Sequence, residues 1–528
     1  MNPRVVTEPL TGHPLALRAV EGTAPDGWYE PRPRNVEGWR ARLESVRANT
    51  PRQWLTALSP ALAASGRARE RISAVADGRG VVITTGQQPG LFGGPLYTLS
   101  KALSALALAD DLEEATGVPV APVFWAATDD ADFKEASATA IAVAGGAQLL
   151  HIDHSAPLGR SMAHMPLGEI SSELEALARA AGAVIDPAPL AMLEKFYVAD
   201  ATIGSAYVCF LRALFEPLGI AVLDASHPAA RAAALPVLRA ALENAEVISE
   251  GIAGTNAAIE AAGYRIQVQD VAGLSLVFSS AAGERKRVPI KGARKKSASS
   301  ELGPNVLLRP IVERSILPTA AYVGGPAEIA YFAQIGPIAD AVGVARPLIL
   351  PRWSCTIVEP HVERIMEKLG LLPEELRDPH EAERQIARSR LPEPVLSELA
   401  ATRALLNERL DALSEAVETE QSPVSSAVTG GLRANLMRRL DRFERRLLAA
   451  TKRQHADTME EIATARGSLY PFGAPQERML NFVPFLARYG PPLREDMLAE
   501  ARRHVSGLTG SGPAARGTRS LQPVETTR

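Results

Sequence analysis

The first two thirds of the chain alternate short apolar runs with segments of helical periodicity. Each run is rich in Val, Ile, Leu or Ala and ends in Gly, Asp or Pro. Near-continuous apolar strands of this kind are typical of a parallel sheet, because helices cover both faces of such a sheet. The pattern therefore predicts an open α/β core of βαβ units, with strands within residues 81–85, 118–130, 219–228, 319–325 and 345–351.

Two segments interrupt this alternation and are interpreted as insertions. One has an Ala/Leu/Glu pattern, and the other contains the short runs IQVQ (266–269) and LSLVF (274–278) before a basic stretch. The chain starts with a Pro- and Gly-rich segment, and its end has too few apolar groups to offset the entropy of ordering. The predicted organisation is an N-terminal arm (1–34), core (35–150), insertion (151–200), core (201–264), insertion (265–300), core (301–358), helical coiled-coil domain (359–505) and disordered tail (506–528).

After residue 359 the pattern is helical only. The apolar positions follow one another at seven, four, three and four residues, a period near 3.5, and they are Leu399, Leu406, Leu410, Leu413 and Val417. A second helix repeats the pattern with Leu436, Leu440, Phe443 and Leu447, after a break at SPVSSAVTGG (422–431). Such narrow stripes indicate a coiled-coil-like helical hairpin, whose helices can cover each other or the same hairpin of a second chain in a homodimer.

Composition limits the classes of function. The 528 residues include 57 Lys and Arg and 60 Asp and Glu, a net charge of -3, so no global positive field would attract nucleic acid or anionic lipid. The sequence shows neither a signal peptide nor the roughly 18–20 apolar residues of a membrane span. Cys209 and Cys355 lie far apart in apolar surroundings, which favours inert buried thiols over a disulfide or zinc framework. We therefore expect a cytoplasmic protein with small-molecule substrates.

A glycine-rich turn after the first strand is the strongest local signal for chemistry. Its backbone amides, together with the positive end of the following helix, can bind a phosphate or carboxylate, and Pro95 is expected at the first helical position. Lys101 either reaches that phosphate or is a solvated helix residue. The turn matches neither a Walker A loop nor GxGxxG, so an ordinary βα turn is the alternative. The candidate ligand-binding residues here are Gly86, Gln87, Gln88, Gly93 and Gly94, of which the two glutamines could instead close the loop on itself.

Carboxylates follow the second strand. Asp129, Asp130 and Asp132 come directly after VFWAAT, and ligands of open parallel sheets bind outside the carboxyl ends of strands. These carboxylates suggest a site for magnesium, an amine or a ribose, with a helix N-cap as the alternative. Further candidates on the same edge are Asp224, Gly324, Gly325 and Glu328.

The basic run at residues 285–296 has two interpretations. It is either a solvated surface loop or a flap that contacts phosphate.

Four separated blocks of the chain resemble the bacillithiol biosynthesis cysteine-adding enzymes, the BshC cysteine ligases. The resemblance runs in the same order from about residue 81 to residue 490. The matching segments are GQQPGLFGGPLYTLSKA (86–102), APVFWAATDDADFKE (121–135), residues 305–335 with RPLILPRWSCTIVE (346–359), and QERMLNFVPFLARYG (476–490).

This resemblance implies a Rossmann-like core similar to class I aminoacyl-tRNA synthetases and nucleotidyltransferases, with two insertions and a dimer-forming coiled-coil domain. It implies a ligase that joins cysteine to the amine of glucosaminyl-malate through an amide bond. Because amide formation needs an activated acyl group, we expect ATP to convert the cysteine carboxylate into an adenylate or an acyl phosphate.

This activation step suggests roles for single residues. Phosphate oxygens would lie over Gly93 and Gly94 with help from Lys101, and the three aspartates would orient a cation such as magnesium or the amine. Where many family members carry TIHK and EDHD, this chain has Ser100 and Ala131 in place of the two histidines. Ser100 is included among the candidate nucleotide-binding residues.

Two other functions fit the same residues. One is an adenylate-forming ligase or nucleotidyltransferase that acts on another amine or amino acid. The other is a non-catalytic oligomer that binds nucleotide in its α/β core and a partner through its helical hairpin.

Overall fold

The computed structural model describes residues 2–152, 159–281, 284–297, 299, 301–378, 380–419 and 423–510. The chain forms two compact units. The first contains residues 1–141 and 149–357 and the chain from residue 477 onward, and the second contains residues 142–148 and 358–476. No helix in the described ranges is both long enough and apolar enough to cross a lipid bilayer.

The strands of the described chain are β1 (Arg4–Thr7), β2 (Val81–Gln87), β3 (Val120–Ala126), β4 (Ala138–Val143), β5 (Gly146–His151), β6 (Ala221–Asp224), β7 (Leu274–Ala281), β8 (Glu284–Pro289), β9 (Leu302–Pro304), β10 (Thr319–Gly324), β11 (Ile349–Pro351) and β12 (Cys355–Val358).

The α-helices up to the end of the α/β region are α1 (Pro14–Glu21), α2 (Val36–Ala48), α3 (Trp54–Leu62), α4 (Gly66–Ala74), α5 (Leu96–Thr116), α6 (Phe133–Ala136), α7 (Ser171–Ala181), α8 (Ala188–Phe196), α9 (Ile203–Phe215), α10 (Pro228–Glu243), α11 (Ala245–Ala261), α12 (Ala293–Lys296), α13 (Arg309–Ile316), α14 (Pro326–Phe332) and α15 (Gly336–Val342). The later helices are α16 (Pro360–Leu369), α17 (Glu381–Ser389), α18 (Glu393–Thr419), α19 (Ser426–Gln454), α20 (Ala456–Leu469), α21 (Gln476–Met479) and α22 (Val483–Thr509).

A five-stranded parallel sheet forms the centre of the first unit, in the order β11-β10-β2-β3-β6. The predicted Rossmann-like α/β core is therefore confirmed. The chain runs outward from β2 through β3 to β6, and then returns to place β10 on the other side of β2. The strand order thus reverses between β2 and β10. In open α/β sheets such a switch point leaves a crevice at the carboxyl ends of the strands.

Helix α5 is buried on nearly all sides. Its sequence is rich in Ala and Leu, which favour helix formation, and it ends at Gly117, whose φ of 72° is the left-handed conformation that glycine adopts readily. It packs on β2 and β3 and also against α22. Pro95 serves as its N-cap, so the helix begins at Leu96, one residue later than predicted.

Helix α22 belongs to the first unit. Its residues Leu493, Met497, Ala501 and Val505 are buried at intervals of four. The predicted helical domain ended at residue 505, whereas the second unit ends at Gln476 and the chain then returns to the α/β core. The predicted tail began at residue 506, but α22 continues to Thr509, and residues 511–528 lie outside the described residues.

The predicted N-terminal arm contains regular structure. Strand β1 pairs with β12, and Trp353 Nε1 donates a hydrogen bond of 2.9 Å to Thr7 Oγ1. Helix α1 follows and is capped by His13, whose Nδ1 accepts from the amide of Leu15 at 3.2 Å. The arm is therefore joined to the first unit through a short sheet.

The second predicted insertion is an antiparallel sheet in the order β8-β7-β9. LSLVF lies in β7, as predicted, but the prediction of a strand at IQVQ (266–269) was wrong. The side chain of Gln334 accounts for this difference. It accepts from the amide of Val268 at 3.2 Å and donates to the Val268 carbonyl at 2.9 Å, so both backbone groups bond to a side chain instead of a strand.

Helices α18 and α19 of the second unit form the predicted hairpin. Leu399 and Leu410 are buried, whereas Leu413 and Phe443 are 43% and 53% exposed. The predicted break extended to residue 431, but α19 begins at Ser426. Part of the seam is polar, since Ser414 and Thr429 hydrogen-bond through their hydroxyls at 2.6 Å. The homodimer stays a prediction.

The prediction of two buried thiols was half right. Cys355 is buried, but Cys209 is exposed on α9. Ser205, one helical turn earlier, is also exposed, so both residues occupy the outward face of an otherwise buried helix.

Candidate active site

A cavity of about 590 Å³ opens at the switch point between β2 and β10, and we call it the crevice pocket. Gly86, Gln87 and Gln88 reach it from the end of β2. Gly325 and Glu328 reach it from the turn after β10 and the first residues of α14. The volume is in the usual range for small-molecule sites of about 300–1,000 Å³.

Positive charge dominates the wall of the crevice pocket. Three carboxylates face six cationic side chains, so the site favours an anionic ligand. The carboxylates are Asp129, Asp130 and Glu328, and the cationic side chains are Lys101, Arg285, Arg287, Arg309, Arg352 and Arg478.

Lys101 lies buried in this wall with its hydrogen-bonding capacity used by the protein. Its ammonium donates to Gly86 O at 2.8 Å and Gln87 Oε1 at 3.0 Å, and lies 2.5 Å from Glu328 Oε2. An ammonium has three donors, so these three contacts account for all of them. Lys101 therefore fixes the end of β2 against α14 and adds positive charge to the wall.

Glu328 is held from several sides. Its carboxylate accepts from the amide of Gly325 at 2.7 Å and from the Tyr322 hydroxyl at 2.6 Å. Burial by itself would raise the pKa of Glu328, but Lys101, Arg309 and the Gly325 amide together lower the pKa below its ordinary value. This carboxylate is therefore ionised at neutral pH.

Arg309 is a site residue that sequence reasoning missed. Its Nη2 donates to the Tyr331 hydroxyl at 3.1 Å and lies 3.7 Å from Glu328 Oε1, and its guanidinium lies 5.9 Å from the centroid of the Tyr322 ring. A guanidinium has five donors, and within the described residues its remaining N–H groups have no hydrogen-bond partner. Arg309 is therefore the best-placed cation for an anionic ligand. The only sequence signal was its place in the block at residues 305–335.

Arg352 and Glu477 form a buried, two-pronged ion pair. The guanidinium donates to the two carboxylate oxygens at 2.6 and 2.7 Å, and also to Ser100 Oγ at 3.2 Å. Arg352 also lies 5.7 Å from the centroid of the Tyr97 ring. Ser100, a predicted ligand-binding residue, is fully buried outside the pocket wall and contacts the pocket through Arg352.

The basic run contributes to the pocket through alternate residues of β8. Arg285 and Arg287 face the pocket over Phe278, with guanidinium carbons 4.5 and 5.8 Å from the ring centroid, whereas Lys286 is 80% exposed. Arg287 Nε donates to Ser275 O at 2.7 Å, and within the described chain its buried Nη2 has no hydrogen-bond partner. This arrangement favours the ligand-contacting interpretation for these two arginines and the solvated one for Lys286.

The three predicted aspartates separate into different roles. Asp130 accepts from the amides of Ala131 at 2.6 Å and Asp132 at 3.1 Å, and Asp132 caps α6 by accepting from the amide of Glu135 at 3.2 Å. Asp129 lies 3.8 Å from Arg285 Nη2, and burial raises the pKa of Asp129 against the opposing charge of Arg285. Asp129 and Asp130 line the crevice pocket, and Asp132 does not.

The carboxylates do not form a complete magnesium site by themselves, and magnesium stays a prediction. Within the described residues, no group of three or more His, Cys, Asp or Glu side chains could hold a metal ion. Backbone amides already donate hydrogen bonds to the carboxylates of Asp130 and Asp132, and Arg285 lies beside Asp129. We assign no step to magnesium.

The glycines of the predicted phosphate turn lie outside the crevice pocket, except Gly86. The Gly93 amide donates to the Gly90 carbonyl at 3.1 Å and to the Tyr197 hydroxyl at 3.0 Å, and the Gly94 amide donates to the Leu91 carbonyl at 3.1 Å. A Cβ on Gly93 would lie 2.6 Å from Phe210 and 2.8 Å from Phe482. These two glycines let the turn pack against an aromatic cluster, and the geometry does not place them against a pocket ligand.

Two glutamines of the same turn do face the pocket. Gln87 donates to the Tyr97 hydroxyl at 3.1 Å, and Gln88 donates to Glu135. Burial, together with Glu135, raises the pKa of Tyr97, so this phenol stays protonated and can donate a hydrogen bond. Both glutamines therefore also tie the loop to neighbouring side chains.

Asp224 and Gly324 lie outside the lining of the crevice pocket. Asp224 accepts from the amide and hydroxyl of Ser226 at 3.0 and 2.8 Å and also from Thr128, which fixes the turn after β6. A Cβ on Gly324 would lie 2.8 Å from Ile349, so this glycine allows β10 to pack closely against β11.

Comparison with known proteins identifies the family of this chain. The family model for the N-terminal Rossmann-like domain of bacillithiol biosynthesis BshC matches residues 23–296 and 293–353. The model for the C-terminal coiled-coil domain of BshC matches residues 355–506. The chain belongs to the BshC family.

Relatives in this family share the length as well as the sequence. A protein of Solibacter usitatus is 29% identical over 87% of this chain and 89% of its own length. One of Koribacter versatilis is 31% identical over 85% and 86%, and one of Salinibacter ruber is 28% identical over 83% and 84%. All three carry the name "Putative cysteine ligase BshC".

This BshC-family chain contains a buried carboxyl group that should make its stability depend on pH. Glu313 of α13 is 2% exposed, and its Oε2 has no hydrogen-bond partner within the described residues. Burial raises the pKa of Glu313 to about 7, although the Thr84 hydroxyl and the Arg309 guanidinium act in the opposite direction. In the folded state the group therefore keeps its proton to higher pH than it does in the unfolded chain.

We expect Glu313→Gln to stabilise the protein above pH 7. Protonated Glu313 contributes stability below about pH 4.5, and this contribution is lost as the pH rises to about 7. The glutamine variant avoids this loss, so its gain should grow from less than about 1 kcal/mol at pH 5 to at most about 3 kcal/mol at pH 8. Urea unfolding at both pH values measures the gain, with exposed Glu37→Gln as the control. An equal difference at both pH values would contradict the expectation.

Proposed function

We propose that this protein is an ATP-dependent ligase that joins the carboxyl group of cysteine to the amine of glucosaminyl-malate through an amide bond. The observation that carries the proposal is the crevice pocket at the β2/β10 switch point, with six cationic side chains and three carboxylates in its wall. The relatives' names, which call them cysteine ligases, supply the chemistry and the amino acid.

The cationic wall suits the activation step. ATP transfers either an adenylyl or a phosphoryl group to the cysteine carboxylate, which releases pyrophosphate or ADP. Charge develops on phosphate oxygens during either transfer, and fixed cations in a partly closed site stabilise that charge. Within the described residues, Arg309 has donors without a partner in this wall and Arg287 has a buried Nη2 without one, so these two arginines are the candidate phosphate contacts.

Asp129 suits the second step. The sugar amine must lose a proton as its nitrogen forms the bond to the acyl carbon and the carbon–oxygen bond to the phosphate breaks. A carboxylate with a raised pKa accepts such a proton more readily than an ordinary one. Asp129 has this raised pKa and lines the crevice pocket, so we assign it the role of proton acceptor.

The test combines purified protein with Mg-ATP, cysteine and glucosaminyl-malate and identifies the products by mass spectrometry. We expect one cysteinyl amide formed per ATP consumed. AMP as the co-product would indicate an adenylate, and ADP an acyl phosphate. Glucosaminyl-malate with an acetylated amine is the control and should give no amide. A folded protein that binds ATP but forms no amide would contradict the proposal.

A further inference from the structure

A second cavity, which we call the side chamber, shares a wall with the crevice pocket. Its volume is about 310 Å³, and the residues common to both cavities are Asp129, Arg285 and Pro304. The guanidinium of Arg285 donates to the Asp129 carbonyl and, at 3.1 Å, to the Pro304 carbonyl, and it lies over Phe278. Several contacts therefore hold Arg285 where the two cavities adjoin, and Asp129 lines both of them.

Among the residues that the structure describes, two arginines in the wall of the side chamber have no partner. Within the described parts of the chain, the side chains of Arg160 and Arg231 make no hydrogen bond or ion pair, although both residues are partly buried. Arg285 neutralises one carboxylate of the wall, Asp129, and the other, Glu301, is solvent-exposed. The interior of the chamber therefore has positive charge that no described residue neutralises.

The surroundings add donors for an anion. The first turn of α10 contributes Ala230 and Arg231 to the wall, and the N-terminus of a helix of 16 residues has a partial positive charge. The Ser161 hydroxyl, which shares a hydrogen bond of 2.9 Å with His164 Nδ1, lies in the same wall. Together with the two guanidiniums, these groups match an acid with more than one carboxylate, because each guanidinium can hold one carboxylate through two parallel hydrogen bonds.

Building on the proposed function, we propose that the side chamber binds the dicarboxylate end of the amine substrate through Arg160 and Arg231. The malate part of glucosaminyl-malate has the two carboxylates that this arrangement requires. An acceptor held by its acid end would then extend its sugar toward the shared wall, where Asp129 receives the proton of the amine. The side chamber thus selects the acceptor, and the crevice pocket activates the cysteine.

Titration calorimetry on the full-length protein without ATP tests this proposal. Wild type should bind glucosaminyl-malate more tightly than methyl glucosaminide, which has no carboxylates. Arg231→Met should weaken glucosaminyl-malate binding about tenfold or more, the usual effect of losing a hydrogen bond between charged groups, and should leave methyl glucosaminide binding unchanged. Arg239→Met is the matched control, because Arg239 is exposed on the same helix, outside the chamber wall, and should leave both affinities unchanged.

The outcomes separate this inference from the proposed function. Wild-type affinity of Arg231→Met for glucosaminyl-malate would overturn the inference even if the amide forms normally. Free malate should compete with glucosaminyl-malate for this site, and equally strong competition by inorganic phosphate at the same concentration would also overturn the inference, because it would show a general anion site. If the expected binding pattern holds but no amide forms in the ligase assay, the proposed function fails and the dicarboxylate site stands.

Discussion

Replacing Arg309 with methionine should lower kcat for amide formation by about 10³-fold. Losing one preorganised donor to a developing negative charge costs about 10²–10³ in kcat, and losing an arginine that stabilises phosphoryl transfer costs about 10³–10⁵. Arg309 lies in the pocket wall with donors that no described residue uses. The variant should still fold, because Glu328 keeps Lys101, Tyr322 and the Gly325 amide as partners.

Single-turnover measurements with saturating ATP give the rate of activation directly. Arg69→Met is the control, since Arg69 is exposed on α4 and outside the pocket wall, and its rate should equal that of wild type. Arg309→Lys keeps the charge but loses the planar pair of donors, so it should bind ATP nearly normally and still react slowly. A rate for Arg309→Met within threefold of wild type would show that Arg309 does not contact the reacting phosphate.

Glu477→Ala should destabilise the first unit by about 3–5 kcal/mol, because it leaves the buried guanidinium of Arg352 without its counter-charge. The side chains of Arg352 and Glu477 are only 5% and 11% exposed. Removing one member of a buried pair is costly, whereas replacing both with apolar residues of similar size is often nearly neutral. The double variant Arg352→Met with Glu477→Leu should therefore recover much of the lost stability.

Guanidinium chloride unfolding, followed by tryptophan fluorescence, measures this loss. Arg179→Ala is the reference, because Arg179 and Glu175 form an ion pair with side chains 70% and 73% exposed. Such exposed pairs contribute about 0–1 kcal/mol. A loss of stability for Glu477→Ala no greater than that for Arg179→Ala would show that the Arg352–Glu477 pair adds little to stability.

The sequence predicts the sheet and its ligand-binding edge because both have local signals. Strands buried on both faces are mostly apolar, as β3 is throughout and β2 is in its first three residues, and glycine- or aspartate-containing turns follow them. The same reasoning placed Gly86, Asp129, Gly325 and Glu328 at the edge where the crevice pocket lies.

The parts of the site that the sequence does not predict depend on contacts between distant segments. Glu477 lies 125 residues after Arg352, and no spacing within either segment indicates their pairing. For Gly93 the sequence does give a signal, but that signal has two possible causes. A positive φ and close packing against Phe210 and Phe482 require glycine there as strictly as a phosphate would, so the sequence does not separate the two causes.

The return of α22 to the first unit affects how the protein is completed on the ribosome. Helix α5 packs against α22, which begins about 370 residues after α5 ends. Synthesis proceeds at about 5–20 residues per second, so the face of α5 that α22 covers stays without α22 for roughly 20–70 s. The second unit ends at Gln476, so all of its residues are synthesised before α22 begins at Val483. The nascent α/β unit thus exposes apolar surface through most of translation, which makes it the part of the chain that chaperones would be expected to bind.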